Sequence, residues 1–296
     1  MDTFRTRTVH ANGLRFASLE AGEGPLVLCL HGFPDHARSF RYQLPALAAA
    51  GFHAVAPYMR GYAPTDVPPD GPYHSVALAQ DAVALIEALG YNRAAIFGHD
   101  WGALAAYGAA ILAPQKITRL ITAAVPHGMA VPTALLSNYD QQRRSWYMFF
   151  FQHPFAEGAL TFNDFAFIER LWQDWSPGWA YAPGEMAALK ETFRSPGVTA
   201  AALAYYRETL NPGRLTGEVV ALQQRLSSSP ISVPALIFHG ERDGCIGVDL
   251  LEGMEALFPH GLQKIVVPNA GHFVHQEQPE IVNQRLLAFL RPSLEQ

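Results

Sequence analysis

The residues best suited to chemistry lie in the run Ala95-Ile96-Phe97-Gly98-His99-Asp100-Trp101-Gly102-Ala103-Leu104. An apolar stretch ends in Gly-x-Asp-x-Gly and passes into a segment rich in Ala and Gly. That is the pattern of a nucleophile elbow, a sharp strand-to-helix turn with glycines where a side chain would clash. The usual nucleophile at such a turn is serine, whose hydroxyl must give up a proton to a base before attacking. Aspartate changes the chemistry. A carboxylate is already ionised at neutral pH. It can displace a leaving group at an sp3 carbon and form an alkyl ester, which suits a strained ether or an alkyl halide better than an ordinary ester or amide. The N-terminus of the following helix favours the anion. Taken alone, the run also fits a plain strand-helix turn with an aspartate cap.

The partners that such a nucleophile needs follow in chain order, an acid and then a histidine. The apolar run Pro234–Phe238 leads into His239-Gly240-Glu241-Arg242-Asp243, and Lys264–Val267 leads into Pro268-Asn269-Ala270-Gly271-His272. Asp243 and His272 are therefore expected just past two strand ends, as an orienting acid and a base. Glu241 competes with Asp243, and His275 with His272; His99 is too close to the elbow backbone to serve. Upstream, Leu28-Cys29-Leu30-His31-Gly32-Phe33-Pro34 ends another strand. The main-chain N–H groups of Phe33 and Trp101 are the candidates for an oxyanion hole. The Phe33-Pro34 bond is a candidate for the cis form.

The elements that must position these groups are visible as short apolar runs alternating with helical patterns. Leu26–Leu30, His53–Pro57, Ala94–Phe97, Leu120–Val125, Pro234–Phe238 and Lys264–Val267 are nearly continuous, as strands buried on both faces should be. Residues 7–20 alternate around Asn12-Gly13 and predict a hairpin. Ser39–Ala50 and Ser75–Leu89 have helical spacing and stop at Gly51 and Gly90. Strand-helix alternation with short links predicts a mostly parallel sheet with helices on both faces. From about Gly128 to Ser229 the strand pattern lapses into aromatic-rich helical segments: Trp146–Gln152, Phe162–Trp175, Glu185–Phe193 and Val198–Thr209. The predicted organisation is a core of residues 1–130 and 230–296, with a helical cap, 131–229, inserted into it.

Composition narrows the class. The chain has 296 residues, 49% of them hydrophobic, enough to bury a large core. A formal net charge of −5 and no block of like charge give no reason to expect nucleic acid. The most apolar helical stretch, Gly102 to Ala113, is far shorter than the roughly 20 residues of a membrane span. Cys29 and Cys245 are too few for a disulfide framework and are expected to pack as small hydrophobes. No secretory pattern opens the chain, and a reducing cytoplasm is the expected compartment. His-x-x-x-His and Cys-x-x-Cys spacings are missing, so no metal is expected.

Over essentially its whole length the sequence resembles the α/β-hydrolase-fold epoxide hydrolases, the soluble epoxide hydrolase family. The matching pieces are His31-Gly32-Phe33-Pro34, Arg60-Gly61-Tyr62, Gly98-His99-Asp100-Trp101-Gly102, Gly240-Glu241-Arg242-Asp243 and Gly271-His272-Phe273. The resemblance implies an α/β-hydrolase fold with an inserted cap, and hydrolysis of an epoxide to a vicinal diol through an aspartyl ester. No cofactor is implied; the partners are a small apolar epoxide and water. It implies that Asp100, Asp243 and His272 act together and that two cap tyrosines hold the epoxide oxygen. Tyr147, in Trp146-Tyr147-Met148-Phe149-Phe150-Phe151-Gln152, matches the first. Tyr206, before Arg207, matches the second, with Tyr205 an alternative one residue away. Phe33, Pro34, Trp101, Met148 and Phe273 are the expected substrate contacts. Haloalkane and haloacid dehalogenases use the same aspartate, and the haloalkane enzymes typically have Asn where this chain has Phe33. A ligand-binding member of the fold without activity is the third reading. One departure stands out: Ala63-Pro64-Thr65-Asp66 replaces a Gly-x-Ser-like turn and should alter loop shape, not chemistry.

Overall fold

In a computed structural model of the chain, the described residues are 4–291 except 212 and 214. Each apolar run overlaps a strand of one eight-stranded sheet. The strands are β1 (Arg5–Ala11), β2 (Leu14–Ala21), β3 (Leu26–Leu30), β4 (His53–Pro57), β5 (Ala94–His99), β6 (Ile117–Ala123), β7 (Ala235–Gly240) and β8 (Leu262–Val267). Their order across the sheet is β1-β2-β4-β3-β5-β6-β7-β8. The predicted hairpin is β1–β2, with Ala11 opposite Leu14 and positive φ at Asn12 and Gly13. β2 also pairs antiparallel with β4; from β4 to β8 every pairing is parallel. β6 ends two residues before the predicted Val125, because Ala124 turns to φ 70°.

The continuous apolar runs are explained by burial on both faces. In β3, Leu26, Leu28 and Leu30 join one core cluster, while Val27 and Cys29 join the other. The first cluster is shared with α2 (Ser75–Ala88), α3 (Trp101–Leu112) and the inserted helices; the second with α1 (Gln43–Ala49) and α12 (Pro279–Leu290). β8, at the sheet edge, is exposed at Gln263, Lys264 and Val266. Between β6 and β7 run α4 (Ala130–Ser137), α5 (Tyr139–Arg144), α6 (Trp146–Phe150), α7 (Phe155–Trp175), α8 (Pro183–Arg194), α9 (Val198–Leu210) and α10 (Gly217–Ser228). α7 starts earlier than Phe162, and its backbone leaves the helical region from Phe162 to Phe165 before resuming. The short α11 (Val274–Glu277) follows β8. Among the described residues no helix is long and apolar enough to cross a membrane.

Two loops are pinned to this frame. Arg60 Nε and Nη2 donate to the two oxygens of Asp81 at 2.7 and 2.6 Å, with both side chains buried. A forked pair of this kind fixes the Arg60-Gly61-Tyr62 turn against α2. The Ala63-Pro64 bond is cis. Thr65 donates to the Tyr58 carbonyl at 2.6 Å, and Asp66 accepts from the Arg15 amide at 2.8 Å, which ties this loop to β2.

Candidate active site

Asp100 sits where β5 ends and α3 begins, with φ 52° and ψ −118°. Non-glycine residues rarely adopt positive φ, and such conformations persist only where the surroundings enforce them. The enforcement is close packing. A side chain at Gly98 would run into the Gly102 carbonyl, and one at Gly102 into the Leu30 carbonyl. At Gly32 a Cβ would collide with the Asp100 carboxylate and lie 2.6 Å from the Trp101 amide nitrogen. The gap left by Gly32 lets the Phe33 N–H donate to Asp100 Oδ1 at 2.7 Å. Of the two expected oxyanion donors, Phe33 N–H is thus already on the carboxylate, and Trp101 N–H stands at the first turn of α3 beside it.

β7 and β8 carry the partners to the same place. The Asp243 carboxylate is fixed by main chain: Oδ1 accepts from the amides of Cys245 and Ile246 at 2.7 and 2.9 Å. Oδ2 lies 2.9 Å from His272 Nδ1, which therefore carries a proton. His272 is held in turn by its own amide, which donates to the Trp175 carbonyl at 3.0 Å. Its Nε2 stands 3.5 Å from Asp100 Oδ2 and has no hydrogen-bond partner among the described residues. All three side chains are buried.

Burial disfavours charge on His272, but the neighbouring Cys245, then Asp243 and Asp100, outweigh it and raise its pKa well above the ordinary imidazole value. Burial likewise opposes the Asp243 carboxylate; the imidazoles of His272 and then His239, with the Ile246 amide, win and lower its pKa. The rival groups are engaged elsewhere. Glu241 is exposed and accepts from the Asn269 amide. His275 Nε2 is 2.6 Å from Ser39 Oγ, and burial drives its pKa well down. His99 donates to the His272 carbonyl at 3.0 Å, and burial lowers its pKa to about 3.

The inserted helices bring Tyr147 (α6) and Tyr206 (α9) over the aspartate, their rings 5.8 Å apart. Burial first raises both phenol pKa values well above the usual range; Cys245, Tyr206 and then Asp100 add to it at Tyr147, and Asp100 and then Cys245 at Tyr206. Both stay protonated donors. Tyr206 packs edge-on to Trp101 at 4.9 Å, and its hydroxyl has no hydrogen-bond partner among the described residues. Tyr205 turns the other way and donates to the Arg60 carbonyl at 2.7 Å. Tyr147 Oη lies 3.2 Å from Cys245 Sγ. Cys245, expected only to pack, thus touches the site; its place two residues after Asp243 was the available signal.

A cavity of about 610 Å³ opens from Asp100 beneath these helices. Its wall includes Trp101, Leu104, Met148, Phe149, Tyr206 and Leu226. Trp101 and Met148, both expected substrate contacts, lie in this wall; among the described residues Phe33, Pro34 and Phe273, also expected there, are packed beside it. Phe33 is enclosed by Phe151, Trp175, Phe193 and Tyr206. The Pro34 carbonyl accepts from the Trp172 indole at 2.8 Å, and the Phe33-Pro34 bond is cis. Phe273 packs against Trp172 and Trp179. The Phe33 amide reaches Asp100, while its ring packs on Tyr206 at 5.4 Å.

Two buried groups of possible metal ligands occur despite the lack of a spacing signal: Asp35, His99, His275 and Asp243, Cys245, His272, each with donor atoms within 4.8 Å of one another. Their donors are largely engaged with each other and with the main chain. Asp243 already accepts three hydrogen bonds, and Ser39 links Asp35 to His275.

Residues 25–279 match the family model for the alpha/beta hydrolase fold. The chain is 32% identical to Epoxide hydrolase 3 of Mus musculus over 294 residues, covering 97% of this chain and 76% of that one. It is 30% identical to the AB hydrolase superfamily protein YfhM of Bacillus subtilis, covering 98% and 99%. Among solved structures, the epoxide hydrolase of Bacillus megaterium in complex with an inhibitor superposes with a TM-score of 0.85 at 28% identity, covering 96% of this chain and all of that one. Epoxide Hydrolase A of Mycobacterium thermoresistibile gives 0.81 at 29%, covering 98% of each. With an aspartate at its elbow and these relatives along its length, the chain belongs to the epoxide hydrolases of the α/β-hydrolase fold.

Proposed function

We propose that this chain hydrolyses a small apolar epoxide to a vicinal diol through an ester on Asp100. One observation carries the reading: the elbow residue is a carboxylate with one oxygen held by the Phe33 amide and the other facing His272 Nε2 at 3.5 Å. Residues 131–229 act as the cap over it, and the aromatic and aliphatic wall suits an apolar substrate. We also place the protein in the cytoplasm, a compartment suited to its two free, buried cysteines.

The two oxygens of Asp100 divide the work. Oδ2 attacks a ring carbon and the C–O bond of the epoxide breaks. Tyr147 and Tyr206 donate to the departing oxygen, which takes a proton from one of them. Oδ1 becomes the ester carbonyl and keeps its hydrogen bond from Phe33. Esterification removes the Asp100 carboxylate, one of the groups that raise the His272 pKa. His272 then releases its proton, which restores the tyrosine, and becomes a base. It takes a proton from water, and the oxygen of that water attacks Cγ of Asp100. Negative charge gathers on Oδ1, where the Phe33 and Trp101 amides stabilise it. The Cγ–Oδ2 bond breaks, and Oδ2 leaves as the second hydroxyl of the diol with the proton from His272. Asp100, regenerated as the acid, returns a proton to His272. Water plus epoxide yields diol.

The reaction class is tested by offering purified protein an epoxide panel including styrene oxide and, separately, a panel of haloalkanes and haloacids. Diol without halide release is the expected result. Halide release without diol would make the chain a dehalogenase, and tight binding without either product a ligand-binding protein.

A further inference from the structure

Among the hydrogen-bonding residues of the cavity wall that this chemistry leaves unused, two have a buried polar atom without a partner among the described residues. These are Thr209 and Gln223. Thr209 follows Tyr206 by three residues on α9, about 4.5 Å farther along the axis and on the same side. Gln223 comes from α10, and its Nε2 donates to the Thr209 carbonyl at 2.8 Å. That carbonyl is among the last of α9, where helical carbonyls lack intrahelical donors. The bond settles which way the amide faces, since only its NH₂ can meet a carbonyl. Gln223 Oε1 is thereby committed as a free acceptor. Both Oε1 and Thr209 Oγ1 are buried with no hydrogen-bond partner among the described residues. Buried polar atoms are normally satisfied, so an unpaired couple in a cavity wall points to an occupant that pairs with them.

The chemistry of the couple selects the occupant. Oε1 can only accept, and Oγ1 can both donate and accept. A hydroxyl matches both in kind, since it can give its proton to an acceptor such as Oε1 and take one from a donor such as Oγ1. An ether leaves Oε1 unpaired, and a carboxylate sets a negative charge against an acceptor. Among the described residues no Lys or Arg lines the cavity to offset that charge. We propose that Thr209 and Gln223 form a neutral subsite that selects epoxides bearing a hydroxyl at the far end of an apolar chain. The proposal rests on the epoxide-hydrolase reading of the same cavity.

The test uses straight-chain terminal epoxides of increasing length, each as the plain alkane, the ω-hydroxy and the ω-carboxy compound. Diol formation gives kcat/KM. At one chain length the ω-hydroxy compound should exceed its plain counterpart by about tenfold, the effect of a hydrogen-bonded pair. The ω-carboxy compound should be the poorest. Thr209→Val and Gln223→Leu should each reduce that ratio and together bring it near one, while Thr209→Ser keeps it. Because the readout is a ratio within each variant, partial loss of folded protein does not alter it. A ratio at or below one at every length, or one untouched by the double variant, overturns the subsite. If no epoxide is turned over, the epoxide reading fails separately. Calorimetric titration with the matching diols and ω-hydroxy diols then decides the subsite by the same ratio of affinities.

Discussion

Tyr205 and Tyr206 are neighbours on one helix, yet Tyr205 donates to the Arg60 carbonyl at 2.7 Å while Tyr206 lines the cavity, its hydroxyl without a hydrogen-bond partner among the described residues. The two phenylalanine substitutions should therefore separate. Tyr206→Phe should slow formation of the alkyl ester about a hundredfold, as loss of general-acid assistance does. Tyr205→Phe should cost about 1 kcal/mol of stability with little change in that step. Stopped-flow ester formation and urea unfolding read the two effects. Equal kinetic losses would remove the distinction.

His272→Gln should divide the reaction. Asp100 can still attack, but no base activates water. One equivalent of epoxide should be consumed in a burst, and the intact protein should gain the mass of the substrate. Steady turnover by this variant would show that another group, such as His275, is the base.

The charge of Asp100 should be legible in the titration of His272. Histidine NMR should give a pKa above about 6.5 in the wild type. Asp100→Asn removes one flanking anion, as esterification does, so the pKa should fall. The sign carries through to stability. A raised histidine pKa stabilises the fold fully below the unfolded value and loses that contribution as pH rises through the folded one. An unchanged pKa in Asp100→Asn would mean that Asp100 does not control the base.

The Arg60–Asp81 pair should matter for folding. Asp81→Ala strands a buried guanidinium, and breaking a buried pair in this way costs about 3–5 kcal/mol. Urea denaturation should show the loss. A change near zero would mean that the pair is solvated or replaceable.

The sheet and the three polar groups at its carboxyl edge were legible because each depends on local pattern and chain order. Leu26–Leu30 and Ala94–Phe97 are continuous because both faces are covered, and Asp100, Asp243 and His272 each follow a strand. Side-chain direction inside a loop or along a helix was harder to read. Nothing local distinguishes Tyr205 from Tyr206, and only the resemblance favoured the latter. Phe273 neighbours His272 yet turns into an aromatic stack with Trp172 and Trp179, which lie about a hundred residues away in the chain. The contact between Cys245 and Tyr147 and the pairing of Gln223 with Thr209 likewise depend on how the inserted helices pack. No periodicity encodes that packing.

An Asp100 oxygen, not a water oxygen, should enter the first diol. A single turnover of styrene oxide in oxygen-18 water, with enzyme in excess, tests it by mass spectrometry of the diol and of the Asp100 peptide. An unlabelled first diol and a labelled Asp100 peptide are expected. Label in the first diol with an unlabelled peptide would mean that water attacks the epoxide directly, and the ester on Asp100 would have to be abandoned.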